Sequence, residues 1–477
     1  MQTSRFLVAG EWKSSENKRP VHNPYTKELV GEVFQASSKD IGDAIHAATA
    51  AFQTTRNLPA YRRADILRTI ADAIGERRDS FAECMTAETG KPISFSRAEV
   101  DRAVFTFTIA SEEAKRIDGS VLPLDLAGHS ENRLGIVRRF ALGPIGAITP
   151  FNFPLNLVSH KVAPAIASGN TIVLKPSSNA PLTALLLAEV IHNTALPKGA
   201  FSVVPCDSNE IDQLITSEAI KLISFTGSPA VGWGIKNKAG KKRVVLELGG
   251  NAGVIVDKDG DSEYALQRIV QGSYGNAGQS CIAVQRIFVH EAVFEGFLSR
   301  FLAATKNVVV GDPTNEATVV GPMITEEAAR KAEQWVKEAV TAGARLLCGG
   351  KRNGAVLEPT ILTDVKRHMK VSCEEVFAPV VTIEPFTSFE HAVKAVNDSA
   401  YGLQAGVFSN SFNNVMFAYR ELEVGGVIIN DFPTYRIDHM PYGGVKNSGF
   451  GREGIRYAIE EMTEMKLMVM NLGAMPS

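Results

Sequence analysis

Ile145-Gly146-Ala147-Ile148-Thr149-Pro150, a helix-length stretch over 154–167, Gly169-Asn170, and then Thr171-Ile172-Val173-Leu174-Lys175 form the segment that decides the fold. Two short apolar runs flank a segment that opens on proline and closes on glycine, the reading of strand, helix, strand. Moving outward, the pattern repeats. A helix is predicted over 180–195 and a strand over 201–204. Lys221-Leu222-Ile223-Ser224-Phe225 is a further strand, and Thr226-Gly227-Ser228 opens another helix. Val244-Val245-Leu246-Glu247 closes the series. Strands alternating with helices predict an α/β protein with a parallel, doubly wound sheet. A second α/β unit begins at Ala252-Gly253-Val254-Ile255-Val256. It continues with a helix over 262–275, a strand over 285–290, helices near 292–305 and 325–342, and strands near 360–363 and 379–385. Upstream, 39–86 and 95–116 are helical in period, with short extended runs near 120–125 and 134–141. The stretch 463–471 alternates weakly, as an edge strand would.

The 477 residues are enough for two or three domains, and 45% hydrophobic with 21% charged content is that of a globular chain. Lys+Arg of 50 against Asp+Glu of 52 gives a net charge of −2, which offers no bulk attraction to nucleic acid or an anionic membrane. No run is long enough to span a bilayer, and the first residues lack an apolar signal core. The five cysteines are odd in number, widely spaced and without CxxC, so neither a disulfide framework nor a zinc site is expected, and no metal is assigned. A reducing cytoplasm is the expected location.

Ligands on open α/β sheets sit at the carboxyl ends of strands, and two such ends carry phosphate chemistry. At Phe225-Thr226-Gly227-Ser228, Gly227 lets backbone approach a pyrophosphate and Ser228 stands at a helix N-terminus. The bland alternative is a plain strand-to-helix turn. At Lys175-Pro176-Ser177-Ser178, the lysine can reach ribose or phosphate, the alternative being a solvated surface lysine. Ser177 and Ser178 place neutral hydroxyls where an acid often selects NAD, leaving room for a 2′-phosphate.

Reacting groups are read from three further turns. Gly272, Gly275 and Gly278 precede Gln279-Ser280-Cys281, an approach that keeps a thiol accessible and points to a nucleophile rather than a buried small apolar residue. Glu247 closes an apolar strand before Gly249-Gly250, where desolvation would raise its pKa toward that of a general base; the alternative is a turn cap. Asn152, in Pro150-Phe151-Asn152-Phe153-Pro154, could donate to an oxyanion, cap the following helix, or do both.

Together these turns resemble the NAD(P)-dependent aldehyde dehydrogenase superfamily. Glu374-Glu375-Val376-Phe377-Ala378-Pro379 and Pro441-Tyr442-Gly443-Gly444-Val445-Lys446-Asn447-Ser448-Gly449 extend the match over nearly the whole chain. The resemblance implies a Rossmann-type cofactor domain (1–117 and 137–247), an α/β catalytic domain (248–450), and a small β bridging domain (118–136 and 455–477) that joins subunits into a homodimer or homotetramer. It implies NAD or NADP as cofactor, held by Lys175, Ser178, Gly227 and Ser228, with Glu375 on the nicotinamide ribose and Phe377 beside it. It implies Cys281 as nucleophile, Glu247 as base and Asn152 as oxyanion donor. Glu247 argues against the coenzyme-A-acylating branch. The five residues Cys281, Glu247, Asn152, Lys175 and Glu375 argue against a catalytically silent structural relative.

By the same resemblance Arg102, His160, Tyr435, Arg436 and His439 fall around the substrate channel and would make a polar, cationic mouth. A small oxygenated or anionic aldehyde is expected: lactaldehyde, glycolaldehyde, glyceraldehyde 3-phosphate, phosphonoacetaldehyde or succinic semialdehyde. The stretch 425–465 looks most like the lactaldehyde and phosphonoacetaldehyde branches. Ser280 stands where some phosphate-binding relatives carry arginine. The alternatives are structural salt bridges for Arg102 and Arg436, and broad-specificity aldehyde detoxification.

Overall fold

The computed structural model describes residues 3–207 and 209–473. Residues 1–2, 208 and 474–477 of the expected domains lie outside them. Two large sheets and a small third one hold the site and the chain's bridging segments, beside another three-stranded sheet and two two-stranded ones among the described residues. The first orders its strands Gly449–Phe450, Arg243–Glu247, Leu222–Thr226, Pro144–Ile148, Thr171–Lys175, Phe201–Val203, Phe6–Val8 and Glu11–Lys13. Its five middle strands, from Arg243–Glu247 to Phe201–Val203, run parallel. Every residue of Pro144–Ile148, Thr171–Lys175 and Leu222–Thr226 is buried, because helices cover both faces.

Of these parallel strands the chain lays Pro144–Ile148 down first, then adds Thr171–Lys175 and Phe201–Val203 on one side. It then crosses back to place Leu222–Thr226 and Arg243–Glu247 on the other. The direction of winding therefore reverses between Pro144–Ile148 and Leu222–Thr226, and a crevice opens at their carboxyl ends. The turn carrying Asn152 and the turn carrying Gly227 and Ser228 flank that crevice.

The second sheet orders Arg345–Cys348, Thr360–Thr363, Val380–Phe386, Val284–His290, Ala252–Val256, Gln404–Phe408 and Gly426–Ile429. Only four residues, 248–251, separate Glu247 at the end of the first sheet from the start of the second. Cys281 lies just before Val284–His290. The carboxyl ends of the first sheet thus face the amino end of a strand in the second.

The third sheet pairs Thr463–Asn471 with Arg133–Ala141 and the latter with Ser120–Pro123, all antiparallel. Thr463–Asn471 is its edge strand. The helical stretch 39–86 resolves into Ser38–Thr55, Ala60–Glu76 and Arg78–Thr89, the first opened by a Ser37/Asp40 capping box.

Several boundaries differ from those expected. Phe6–Val8 and Glu11–Lys13 extend the first sheet at one edge, and Gly449–Phe450 extends it at the other. Their brevity leaves too little periodicity to read. Ile455, Ile459 and Met462 pack in the first core, so the helix Ile455–Glu461 belongs there, and the returning bridging strand starts at Thr463 rather than 455. The outgoing strand runs past 136 to Ala141.

Candidate active site

Cys281 is presented by a turn of unusual backbone. Asn276, Ala277 and Gly278 take φ of 53°, 55° and 67°, all left-handed. At Gly278 a Cβ would lie 2.3 Å from the Ala378 carbonyl oxygen, so no side chain fits. Strain of this kind persists only where the surroundings enforce it. The carbonyl of Cys281 presses on Gly250, where a Cβ would stand 2.0 Å from its oxygen. The sulfur lies 3.1 Å from the Tyr442 hydroxyl. Burial pushes the thiol up to about 12, against the pull of that hydroxyl.

Glu247 is buried, and neither carboxylate oxygen has a hydrogen-bond partner among the described residues. It does not cap a turn. Burial raises its pKa well above the usual carboxylate range, and the nearby Glu453 charge raises it further. Glu453 is held ionised despite its own burial by Lys161 at 2.9 Å and Arg436 at 3.1 Å. An unpartnered carboxyl of raised pKa is suited to accept a proton during catalysis.

Asn152 is buried, and its amide nitrogen donates to the Gln279 carbonyl at 3.1 Å, which ties the Asn152 turn to the cysteine loop. It does not cap the helix Asn156–Ala167. That task falls to Glu99, whose carboxylate accepts the Leu155 and Asn156 N–H groups at 2.9 and 3.0 Å. The second amide hydrogen of Asn152 is therefore available to an oxyanion. The Cys281 N–H donates to no acceptor among the described residues.

A cavity of about 530 Å³ joins these groups to the cofactor crevice. Gly227, Ser228, Glu375 and Phe377 line one part of it, and Cys281, Glu247 and Asn152 another. Their chemistry fits a pyridine dinucleotide. A Cβ on Gly227 would stand 2.5 Å from the Phe225 ring, and one on Gly249 2.4 Å from the Glu375 carboxylate. Neither glycine therefore has room for a side chain in this geometry. Glu375 accepts the Gly250 N–H at 2.8 Å through one oxygen, leaving the other for a ligand hydroxyl; burial raises it to about 7. Phe377 holds a left-handed φ of 53° and packs edge-on against Phe151.

Lys175 sits outside that cavity at the end of Thr171–Lys175. It is only 8% exposed, so it is no solvated surface lysine, and burial lowers its pKa. Its Nζ lies 3.4 Å from the Ser178 hydroxyl. Asp207, whose charge reaches Lys175, is tied in an ion pair to Arg19.

The cationic mouth is more compensated than expected. Arg102 lines the cavity but forks onto Asp438, with Nη2 at 2.6 Å and Nε at 3.1 Å. Arg436 lines it while paired to Glu453, its guanidinium stacked 3.7 Å over the Tyr442 ring. Tyr435 lines it and is exposed. His160 is wholly buried and stands behind the wall, 2.8 Å from Asp438. Burial, then the Arg436 charge, lowers its pKa, so it is neutral at pH 7. His439 is exposed and packs edge-on to Phe105. The expectation that His160 adds positive charge to the mouth is therefore corrected, and neither histidine lines the cavity.

Sequence reasoning passed over Tyr442 as a partner of the sulfur, and over Lys161, Glu453, Asp438 and Arg268. Lys161 left a signal, since it lies beside His160 in a helix whose every residue is buried. Arg268, paired with Asp431 and 3.8 Å over the Phe432 ring, also lines the cavity.

The aldehyde dehydrogenase family matches residues 12–468 of this chain. A 3-sulfolactaldehyde dehydrogenase of Priestia megaterium is 47% identical over 468 residues, 98% of each chain. The crystal structure of aldehyde dehydrogenase 21 from Physcomitrella patens, in complex with the reaction product succinate, superposes with a TM-score of 0.97. It is 44% identical, over 99% of this chain and 98% of that one. A glyceraldehyde-3-phosphate dehydrogenase from Methanocaldococcus jannaschii, complexed with NADP, superposes with a TM-score of 0.91. Its identity is 40%, over 96% of this chain and 100% of that one.

Proposed function

Because the chain belongs to the aldehyde dehydrogenase family, we propose that it oxidises a small anionic aldehyde to the carboxylic acid through a cysteine thioester, with NAD or NADP as cofactor. The observation that carries this reading is the single cavity that brings Cys281, Glu247 and Asn152 against the crevice of Gly227, Ser228 and Glu375.

Cys281 attacks the aldehyde carbon as its thiolate, with the Tyr442 hydroxyl donating to the sulfur. The oxyanion of the resulting thiohemiacetal accepts from the Asn152 amide and the Cys281 N–H. NAD(P), when bound, supplies the hydride acceptor that converts this adduct into a thioester. Lys175 and Ser178 would hold its adenosine end, and Glu375 the nicotinamide ribose. Glu247 then takes a proton from water, the water oxygen bonds to the thioester carbon, and the acid leaves with the thiol restored.

Arg102, Arg436 and Tyr435 face the substrate's far end. Relatives named for sulfolactaldehyde and bound to succinate support an anionic group there. The edge strand Thr463–Asn471 exposes Met465, Leu467, Met468 and Val469, which supports a homodimer or homotetramer built through the third sheet. No helix among the described residues is long and apolar enough to cross a membrane. We place the protein in a reducing cytoplasm on the strength of its free cysteines. Steady-state kinetics over neutral, carboxylated, sulfonated and phosphorylated aldehydes, each with NAD and NADP, tests the reading. Cys281→Ala must abolish cofactor reduction; turnover at the parental rate would overturn it.

A further inference from the structure

The turn that carries Glu375 is held by side chains rather than by its own backbone. The Val376 N–H finds no main-chain acceptor among the described residues. It donates instead to Oε1 of Gln285 at 3.1 Å. From Nε2 the same side chain donates to the Glu374 carbonyl at 2.8 Å and to the Val371 carbonyl at 3.0 Å. One amide therefore grips the chain on both sides of Glu375. Gln285 is buried on the strand Val284–His290, beside the core residues Val284 and Ile287. An amide there is costly unless bonded, and both its hydrogens and its oxygen are engaged. The strand pairing also slips at this point. Val284 pairs with Ala252 but Arg286 with Gly253, so Gln285 is the extra residue of a bulge, a device that re-aims a side chain. Asn251, directly after Gly250, adds a second grip, donating from Nδ2 to the Ser372 carbonyl at 2.8 Å and the Glu374 carbonyl at 3.3 Å. Its own carbonyl accepts from the buried Arg286 guanidinium at 3.0 and 3.3 Å. Neither Gln285 nor Asn251 lines the cavity.

We propose that Gln285, supported by Asn251, is the positioning residue that aims the Glu375 carboxylate at the ribose next to the nicotinamide. The proposal rests on the functional reading above, in which Glu375 takes that ribose. One Glu375 oxygen is engaged by the Gly250 N–H, and the other serves a ribose hydroxyl only if it is held in place. A displacement of about 1 Å is enough to forfeit such a contact. Gln285 lies on the strand that follows Cys281, so the same amide also ties the place of the ribose carboxylate to that of the nucleophile.

The test reads binding, without turnover. Gln285→Met keeps the bulk of the side chain and removes its three hydrogen bonds. Three probes are titrated: NADH; ADP-ribose, which keeps that ribose and lacks the nicotinamide; and ADP, which lacks both. Their 2′-phosphorylated forms replace them where the parent protein binds NADPH more tightly. The variant is expected to lose about tenfold or more in affinity for NADH and ADP-ribose, and less than about twofold for ADP. A merely structural role would weaken all three together. In a Glu375→Ala background Gln285→Met should cost no further NADH affinity, because its effect passes through that carboxylate.

Equal losses for the three probes, a loss confined to NADH, unchanged binding, or a full further loss in the Glu375→Ala background would each overturn the proposal. Should Gln285→Met not fold, Asn251→Ala decides, and an unchanged ratio of NADH to ADP affinity there also overturns it. A parent protein that binds neither NADH nor ADP would sink the functional reading along with the proposal. A parent that binds both, with no divergence between them in the variant, sinks the proposal alone.

Discussion

The Tyr442 hydroxyl stands 3.1 Å from the Cys281 sulfur, and the Arg436 guanidinium stacks over the same ring, 3.7 Å from its centroid. One aromatic ring thus links the nucleophile to a buried cation. Removing the hydroxyl in Tyr442→Phe takes a donor from the thiolate, and a hydrogen bond to a charged group is worth about 1.5–3 kcal/mol. The thiol pKa, already about 12, should rise further. At any pH below it the thiolate fraction falls, so alkylation by iodoacetamide should slow about tenfold or more, its pH profile displaced upward. An identical profile would remove Tyr442 from the activation of Cys281.

Glu247→Gln should separate the two halves of the reaction. The first turnover forms thioester and reduced cofactor without the base, so a burst remains, while the steady state falls by about 10²–10⁴. In the parent protein only the ionised carboxylate accepts a proton. Its pKa is raised, so hydrolysis should accelerate with increasing pH through a value above the usual carboxylate range. Stopped-flow traces across pH check both outcomes.

Asn152→Ala should lower kcat by about 10²–10³, the cost of one oxyanion donor. The helix Asn156–Ala167 should keep its stability, because Glu99 rather than Asn152 caps it. A large drop in melting temperature would point to a structural role instead.

Gly249→Ala places a methyl group 2.4 Å from the Glu375 carboxylate in the present geometry. Cofactor affinity should fall by about tenfold or more through loss of a charge-assisted hydrogen bond to the ribose. Iodoacetamide reactivity of the free protein should be nearly unchanged. Fluorescence titration with reduced cofactor measures the first, and alkylation the second.

Lys91→Met removes the buried partner of Glu99, a cation that also lies 3.9 Å from the centroid of the Phe153 ring. Stability should fall by about 3 kcal/mol in urea unfolding, the cost of leaving a buried charge unpaired. Adding Glu99→Gln should recover part of it.

The proposed site residues were legible because they stand at turns near glycine or proline, where the local pattern itself announces a turn. Gly227, Glu247 and Asn152 are of this kind. Lys175, ambiguous alone even after its strand, gained a proposed role only from the family resemblance. Ion pairing was not legible. Arg102 and Asp438 are separated by most of the chain, and only the fold brings them within 2.6 Å. The same holds for Glu99, which caps a helix from another element, so the helix start after Pro154 could not be assigned correctly from its own residues. The two-residue strand Gly449–Phe450 escaped notice because it has no period of its own.

That short strand, with Ile455, Ile459 and Met462 beside it, completes a core begun hundreds of residues earlier. A ribosome that has released residues 1–247 has produced a sheet still missing one edge and part of its packing. Those contacts can form only after nearly all of the second unit has been synthesised, so the first core closes fully only late in synthesis.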